Sequence, residues 1–210
     1  MYSIGGRIAT VNMVKGRRVY GEELVGGNGI EYRLWNPYRS KLAAALLNRM
    51  GHMEIKGGSR VLYLGAATGT TASHVSDIIG PRGRLFGVEI SERNMREFLG
   101  LCDLRANMLP ILADASHPDA YLGEIGECDI IYQDISSRNQ AEILLANSVA
   151  LKKGGYAYFI IKSQSIDIAR RPEDTYRDEL AKLRGAFAVD ERIDLEPYDS
   201  MHLFAVLKKI

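Results

Sequence analysis

VDERIDLEPYDSMHLFAVL, residues 189–207, holds two strand-like runs, VDERIDLEP and SMHLFAVL, separated by no more than Tyr198, Asp199 and their immediate neighbours. A link that short cannot carry a crossover helix, so the two runs must pair as an antiparallel hairpin. Upstream the pattern differs. The apolar runs RVLYLG (60–65), RLFGVE (84–89), MLPILAD (108–114), CDIIYQD (128–134) and YAYFIIK (156–162) alternate with stretches of helical period. That alternation predicts a parallel sheet covered by helices. The whole is expected to be an α/β protein whose seven-stranded, mostly parallel sheet closes with the terminal hairpin.

The first 30 or so residues read differently again, as short bursts such as RIATVNMV (7–14) and RRVYGEELV (17–25) punctuated by Lys15-Gly16 and Gly26-Gly27-Asn28-Gly29. They predict a small antiparallel β-unit. A helix should follow, with Asn36 as its N-cap, Pro37 at its first position, Leu42, Ala45 and Leu46 on its apolar face, Lys41 in its second turn and Gly51 as its stop. Residues 1–55 are thus expected to form the β-unit and connecting helix, and residues 56–210 a catalytic domain. A composition of 46% hydrophobic and 25% charged residues fits an ordinary soluble globular chain. No basic-then-apolar leader and no apolar run of bilayer length is present, so a cytoplasmic location and no membrane partner are expected. Cys102 and Cys128 lack metal-site spacing and read as small apolar residues; no metal is expected. The net charge of +1 hides an uneven distribution, with ten Lys/Arg against four Asp/Glu in residues 1–60. Such an excess can meet a phosphate backbone or lie on a solvated surface.

The strand ends carry the chemistry. Gly65-Ala66-Ala67-Thr68-Gly69-Thr70-Thr71 joins an apolar strand to a helix, where glycines permit a tight turn and close approach of a ligand. Glu89, twenty residues beyond Gly69 at the end of the next strand, can accept both ribose hydroxyls of an adenosine. Asp114-Ala115 follows the third strand, placing a carboxylate where it can accept from an adenine amine. An adenosine cofactor of either the nicotinamide or the sulfonium kind suits this Rossmann-like arrangement. The closing antiparallel hairpin decides for S-adenosyl-L-methionine, because a dehydrogenase sheet continues with a parallel sixth strand.

Four polar residues should meet at the same edge: Lys41 on the preceding helix, Asp134 after strand four, Lys162 at the end of strand five and His202 at the start of strand seven. A lysine ending a buried run needs a paired anion, and Asp134 is the candidate. A plain strand-end salt bridge would meet that need too. A methyl acceptor such as a ribose hydroxyl gives the group a further use, since it must be aligned with the methyl and stabilised as charge develops. Glu196 is the nearby alternative for the fourth position, but it ends strand six, whereas His202 begins strand seven. His52, His74 and His117 read as caps or surface residues.

EYRLWNPYRSKLAAALL (31–47), LYLGAATGTTASHVSD (62–77), Asp114-Ala115, GGYAYFIIKSQSID (154–167) and EPYDSMH (196–202) closely resemble the fibrillarin family of RNA methyltransferases, across essentially the whole chain. The glycine-arginine-rich extension of eukaryotic members is not seen, so archaeal fibrillarin-like proteins are the better match. The resemblance implies a Lys-Asp-Lys-His tetrad at Lys41, Asp134, Lys162 and His202. It implies cofactor contacts at Thr70, Thr71, Glu89, Ile90, Asp114, Ala115 and Asp134, beside the turn residues Gly65, Ala67 and Gly69. After Asp134 the chain departs from the family's usual Ala-Asp-Val-Ala-Gln, so the next contact falls on Ser137 or on Gln140. Also implied are 2′-O-methylation of RNA (pre-rRNA, and tRNA as a further substrate), a Nop-domain scaffold protein, a kink-turn-binding ribosomal-type protein, and a box C/D guide RNA with its target RNA. The alternatives are a stand-alone methyltransferase for a small molecule or protein, and an inactive cofactor-binding scaffold subunit.

Overall fold

The computed structural model describes all residues 1–210. Its larger sheet is built from β5 (Arg60–Leu64), β6 (Arg84–Glu89), β7 (Met108–Leu112), β8 (Cys128–Gln133), β9 (Leu151–Lys162), β10 (Phe187–Asp194) and β11 (His202–Lys209), in the spatial order β10-β11-β9-β8-β5-β6-β7. β5 to β9 are parallel to one another, and β11 runs antiparallel between β9 and β10. The order reverses direction at β5, so the carboxyl ends of β5, β6 and β8 flank the crevice where sheets of this kind bind ligands. Helices α2 (Thr70–Ile79) and α3 (Glu92–Cys102) follow β5 and β6; α4 (Leu122–Ile125), α5 (Gln140–Asn147), α6 (Ser163–Ile166) and α7 (Pro172–Lys182) complete the set. The central strands are buried on both faces. Val61, Tyr63, Ile130, Tyr132, Tyr158 and Ile160 pack into one hydrophobic layer, and Leu62, Leu64, Ile131, Ala157, Phe159 and Ile161 into the other. This is why those strands read as continuous apolar runs.

The N-terminal unit is a four-stranded antiparallel sheet of β1 (Tyr2–Ile4), β2 (Arg7–Val11), β3 (Leu24–Gly27) and β4 (Ile30–Leu34), in the order β1-β2-β4-β3. The Gly26 to Gly29 segment is the tip of the β3–β4 hairpin, with Asn28 and Gly29 both at positive φ. The sheet therefore runs further along the chain than its apolar bursts suggest. Most of RRVYGEELV is loop, organised by the Glu22 carboxylate accepting from the Val19 and Tyr20 N–H groups.

The expected single helix after Asn36 is two pieces. Asn36 caps a short 3-10 turn (Pro37–Arg39), Ser40 is extended, and α1 (Lys41–Leu47) starts afresh with Ser40 as its N-cap. Lys41 is consequently the first residue of α1 and not in a second turn, and the helix stops at Leu47, short of Gly51. His74 is neither cap nor surface. It is fully buried, stacked on Trp35 at 4.6 Å between ring centroids and bridging Thr10 Oγ1 and the Tyr20 hydroxyl at 2.8 Å each. Around it Arg33 bonds Glu22 and Asp77, and Arg105 bonds Asp77, all without solvent exposure beyond a trace. These charges clamp the N-terminal sheet to α2.

Candidate active site

The sheet delivers three of the four tetrad side chains by its register alone. Asp134 follows β8, its N–H donating to the Leu64 carbonyl at 2.9 Å. Lys162 ends β9 and lies directly opposite His202, the first residue of β11. Lys41 arrives from α1, whose Ser40 cap also accepts from the Thr71 hydroxyl at 2.9 Å, tying the helix to the loop after β5. The result is a chain of alternating charges. Lys162 Nζ stands 2.8 Å from Asp134 Oδ1, and Lys41 Nζ 3.2 Å from Asp134 Oδ2. Gly65 makes the arrangement possible. It sits at φ +83°, and a Cβ there would meet the Asp134 carbonyl oxygen at 2.6 Å.

Asp199 was not anticipated. One of its oxygens is 2.8 Å from His202 Nδ1 and the other 3.6 Å from Lys41 Nζ, so it joins the fourth tetrad member to the other three. The exposed Glu196 takes no part in the cluster. Burial would raise the Asp134 pKa, but the ammonium groups of Lys41 and Lys162 outweigh it and hold the carboxyl below its ordinary value. Burial would likewise lower that of Lys41, and Asp134 and Asp199 reverse this, keeping it raised. Asp199 is held low, against its burial, by His202 and Lys41.

Beside the tetrad opens a cleft of about 530 Å³ lined by Gly65, Ala67, Glu89, Ile90, Asp114, Ala115, Asp134, Ser137 and Lys162, among others. Its size suits a nucleoside-sized ligand. Glu89 is fixed from both sides, accepting from the Ala67 N–H and the Ser91 N–H at 2.8 Å each. Every carboxylate oxygen has room for a second donor, so both remain available. Asp114 is held low in pKa mainly by the Ser116 N–H that it accepts. Three of the lining side chains are carboxylates and one, Lys162, is cationic and already paired. A pyrophosphate would find repulsion here, whereas a sulfonium and an ammonium group would not. The donor set therefore fits S-adenosyl-L-methionine.

Four expected contacts lie outside the lining. Gly69 sits at φ +90°, and a Cβ there would run into the Leu101 and Phe98 side chains. Thr70 opens α2 and buried Thr71 turns to Ser40. Gln140 is fully buried, its amide accepting from the Lys162 N–H and donating to the Ser137 and Lys162 carbonyls. It props the end of β9, whereas Ser137 faces the cleft. Ser136, also unanticipated, lies 3.3 Å from Lys162 Nζ. No group of three His, Cys, Asp or Glu side chains converges as a metal site, and no helix is long and apolar enough to cross a membrane.

A parallel sheet with one antiparallel strand inserted next to its edge strand, and an acidic crevice beside a carboxylate flanked by lysines, define the class: this is the fold of the S-adenosylmethionine-dependent methyltransferases. The comparisons narrow it. The fibrillarin family model matches residues 2–210. A fibrillarin-like rRNA/tRNA 2′-O-methyltransferase of Thermococcus sibiricus is 50% identical over 204 residues, which is 97% of this chain and 90% of that one. Aeropyrum pernix fibrillarin in complex with natively bound S-adenosyl-L-methionine superposes with a TM-score of 0.90 at 46% identity, covering 96% of this chain and 88% of that one. A fibrillarin/Nop5p complex gives 0.92 at 38% identity over 100% and 97%. The chain belongs to the fibrillarin family.

Proposed function

We propose that this chain is the catalytic subunit of a box C/D guide-RNA ribonucleoprotein that methylates ribose 2′-hydroxyls in rRNA, and in tRNA as well. The observation that carries the reading is the Lys41–Asp134–Lys162 array at the mouth of a cleft suited to S-adenosyl-L-methionine. Glu89 takes the cofactor's ribose hydroxyls and Asp114 its adenine amine. Ile90, Ala115 and Ser137 line the same cleft and would border the bound cofactor. When bound, the cofactor supplies a methyl group already activated by a positively charged sulfur.

What remains for the protein is to orient and stabilise the acceptor oxygen. Lys162 contacts that oxygen, Asp134 fixes Lys162 and Lys41 in place, and Lys41 and His202 close the polar pocket. The tetrad sits at the carboxyl ends of β8 and β9 beside the start of β11, and one solved structure that the chain resembles over its whole length is a fibrillarin/Nop5p complex. Selection of the nucleotide is accordingly assigned to partners: a Nop-domain scaffold protein, a kink-turn-binding ribosomal-type protein and the guide RNA paired with its target. Residues 56–210 supply Asp134, Lys162, His202 and the cofactor cleft in this reading, and residues 1–55 brace them and contribute Lys41. Single-turnover methyl transfer in the reconstituted complex tests the roles. Lys162→Ala and Asp134→Ala should each slow transfer by about 100-fold or more with cofactor affinity little changed for Lys162→Ala. Near wild-type rates would remove these residues from the chemistry.

A further inference from the structure

A ribose hydroxyl that accepts a methyl group must give up its proton, and three of the four tetrad groups are poor acceptors for it. Asp134 lies between two ammonium groups, at 2.8 Å and 3.2 Å, which hold its carboxyl below the ordinary value and make it a weak base. Lys162 Nζ donates to the Asp134 carbonyl at 3.1 Å and to Ser136 Oγ at 3.3 Å, and is ion-paired with Asp134 Oδ1 at 2.8 Å. Lys41 is kept protonated between Asp134 and Asp199.

His202 differs. Its Nδ1 faces Asp199 Oδ1 at 2.8 Å, while Nε2 has no hydrogen bond within the protein. A carboxylate can only accept, so a neutral imidazole in this contact carries its proton on Nδ1 and presents a lone pair at Nε2. The imidazole starts from the same sheet end as Lys162, its cross-strand partner, and it is partly exposed, so a proton taken up there can leave to solvent.

We infer that His202 Nε2 is the proton acceptor for the ribose hydroxyl and that Asp199 is its positioning residue, an inference that rests on the function proposed above. As the oxygen–carbon bond forms and the carbon–sulfur electron pair goes to sulfur, the O–H pair stays on oxygen and the proton passes to Nε2. The imidazolium so formed is stabilised by Asp199. The charged groups facing His202 are Asp199 in its own loop, Lys41 on α1, Asp134 after β8 and Lys162 on β9. The acceptor thus lies among two carboxylates and two ammonium groups.

The test has two parts. Long-range ¹H–¹⁵N spectra of the ¹⁵N-histidine-labelled wild-type protein, without cofactor or RNA, read the tautomer directly. Neutral His202 should be protonated on Nδ1, and Asp199→Ala should lose that bias while Asp199→Glu keeps it. A wild-type His202 protonated on Nε2 overturns the inference. In single-turnover methyl transfer by the full complex, His202→Ala should slow transfer by about 100-fold or more. Asp199→Ala should be severe alone, add less than about threefold in the His202→Ala background, and be substantially rescued by Asp199→Glu. Independent, multiplicative effects overturn it as well. Failure of the wild-type complex to methylate RNA would instead sink the proposed function, and it would show before any variant is compared.

Discussion

At the residue scale the site is a line of alternating charges, Lys162, Asp134, Lys41, Asp199 and His202. The sign of its pH response follows. Asp134 and Asp199 have folded pKa values below the ordinary carboxyl value of 3.8. Their stabilisation is fully present above the unfolded value and is lost as pH falls through the folded one. Lys41, raised above 10.5, contributes below that value and loses its contribution as pH rises beyond it. Denaturant unfolding across about pH 5 to 2 should show a shallower acid decline in Asp134→Asn than in wild type. An unchanged slope would mean that the pair does not hold that proton equilibrium. Lys41, Asp134, Lys162 and His202 are plausible from their places at the ends or starts of apolar runs, and the fibrillarin resemblance is what makes them specific. Asp199 could not be picked out, because it lies in a short turn with no periodicity, and only the folded hairpin shows it reaching both His202 and Lys41.

At the scale of elements, the segment after β5 governs how closely β5 and β8 approach. Gly65→Ala puts a Cβ within 2.6 Å of the Asp134 carbonyl, at a φ that side chains rarely adopt. It should weaken cofactor binding by about tenfold or more and lower stability by about 1–3 kcal/mol. Isothermal titration and thermal melts would measure the two, and wild-type values for both would place the carboxylate elsewhere than the register implies. The parallel strands were legible because both faces are buried, and the hairpin because its turn is too short for a helix. The break before α1 was not, since Asn36-Pro37 is a good helix start by itself. What resets the chain is Ser40, extended and capping again four residues after Asn36. Gln140 entered only through the resemblance, as the alternative to Ser137 where the chain departs from the family pattern; its buried amide satisfies the last backbone groups of β9.

For the whole molecule, the N-terminal charge excess has an unexpected destination. Arg33 is buried against Glu22 and Asp77, Lys41 lies in the site, and Arg7 and Lys56 are paired with Glu23 and Glu54. The basic surface left for RNA is smaller than the residue count suggests. RNA binding by the isolated chain should therefore be weak and fall further with added salt; tight, sequence-specific binding without partners would contradict this. The buried charges instead hold the two sheets together. Asp77→Ala leaves Arg33 and Arg105 without their shared carboxylate and should destabilise the fold by roughly 3–5 kcal/mol, lowering Tm by about 10 °C. A scanning calorimetry midpoint within a degree of wild type would show that the clamp does not bear on stability. The most direct test of a catalytic subunit directed by a guide is to change the guide. In the complex reconstituted with the scaffold and kink-turn proteins, the methylated ribose should move along the target RNA in step with the new guide sequence and disappear in Asp134→Ala. A methyl group that stays at one position whatever the guide, or that the chain adds to RNA with no partner present, would contradict it.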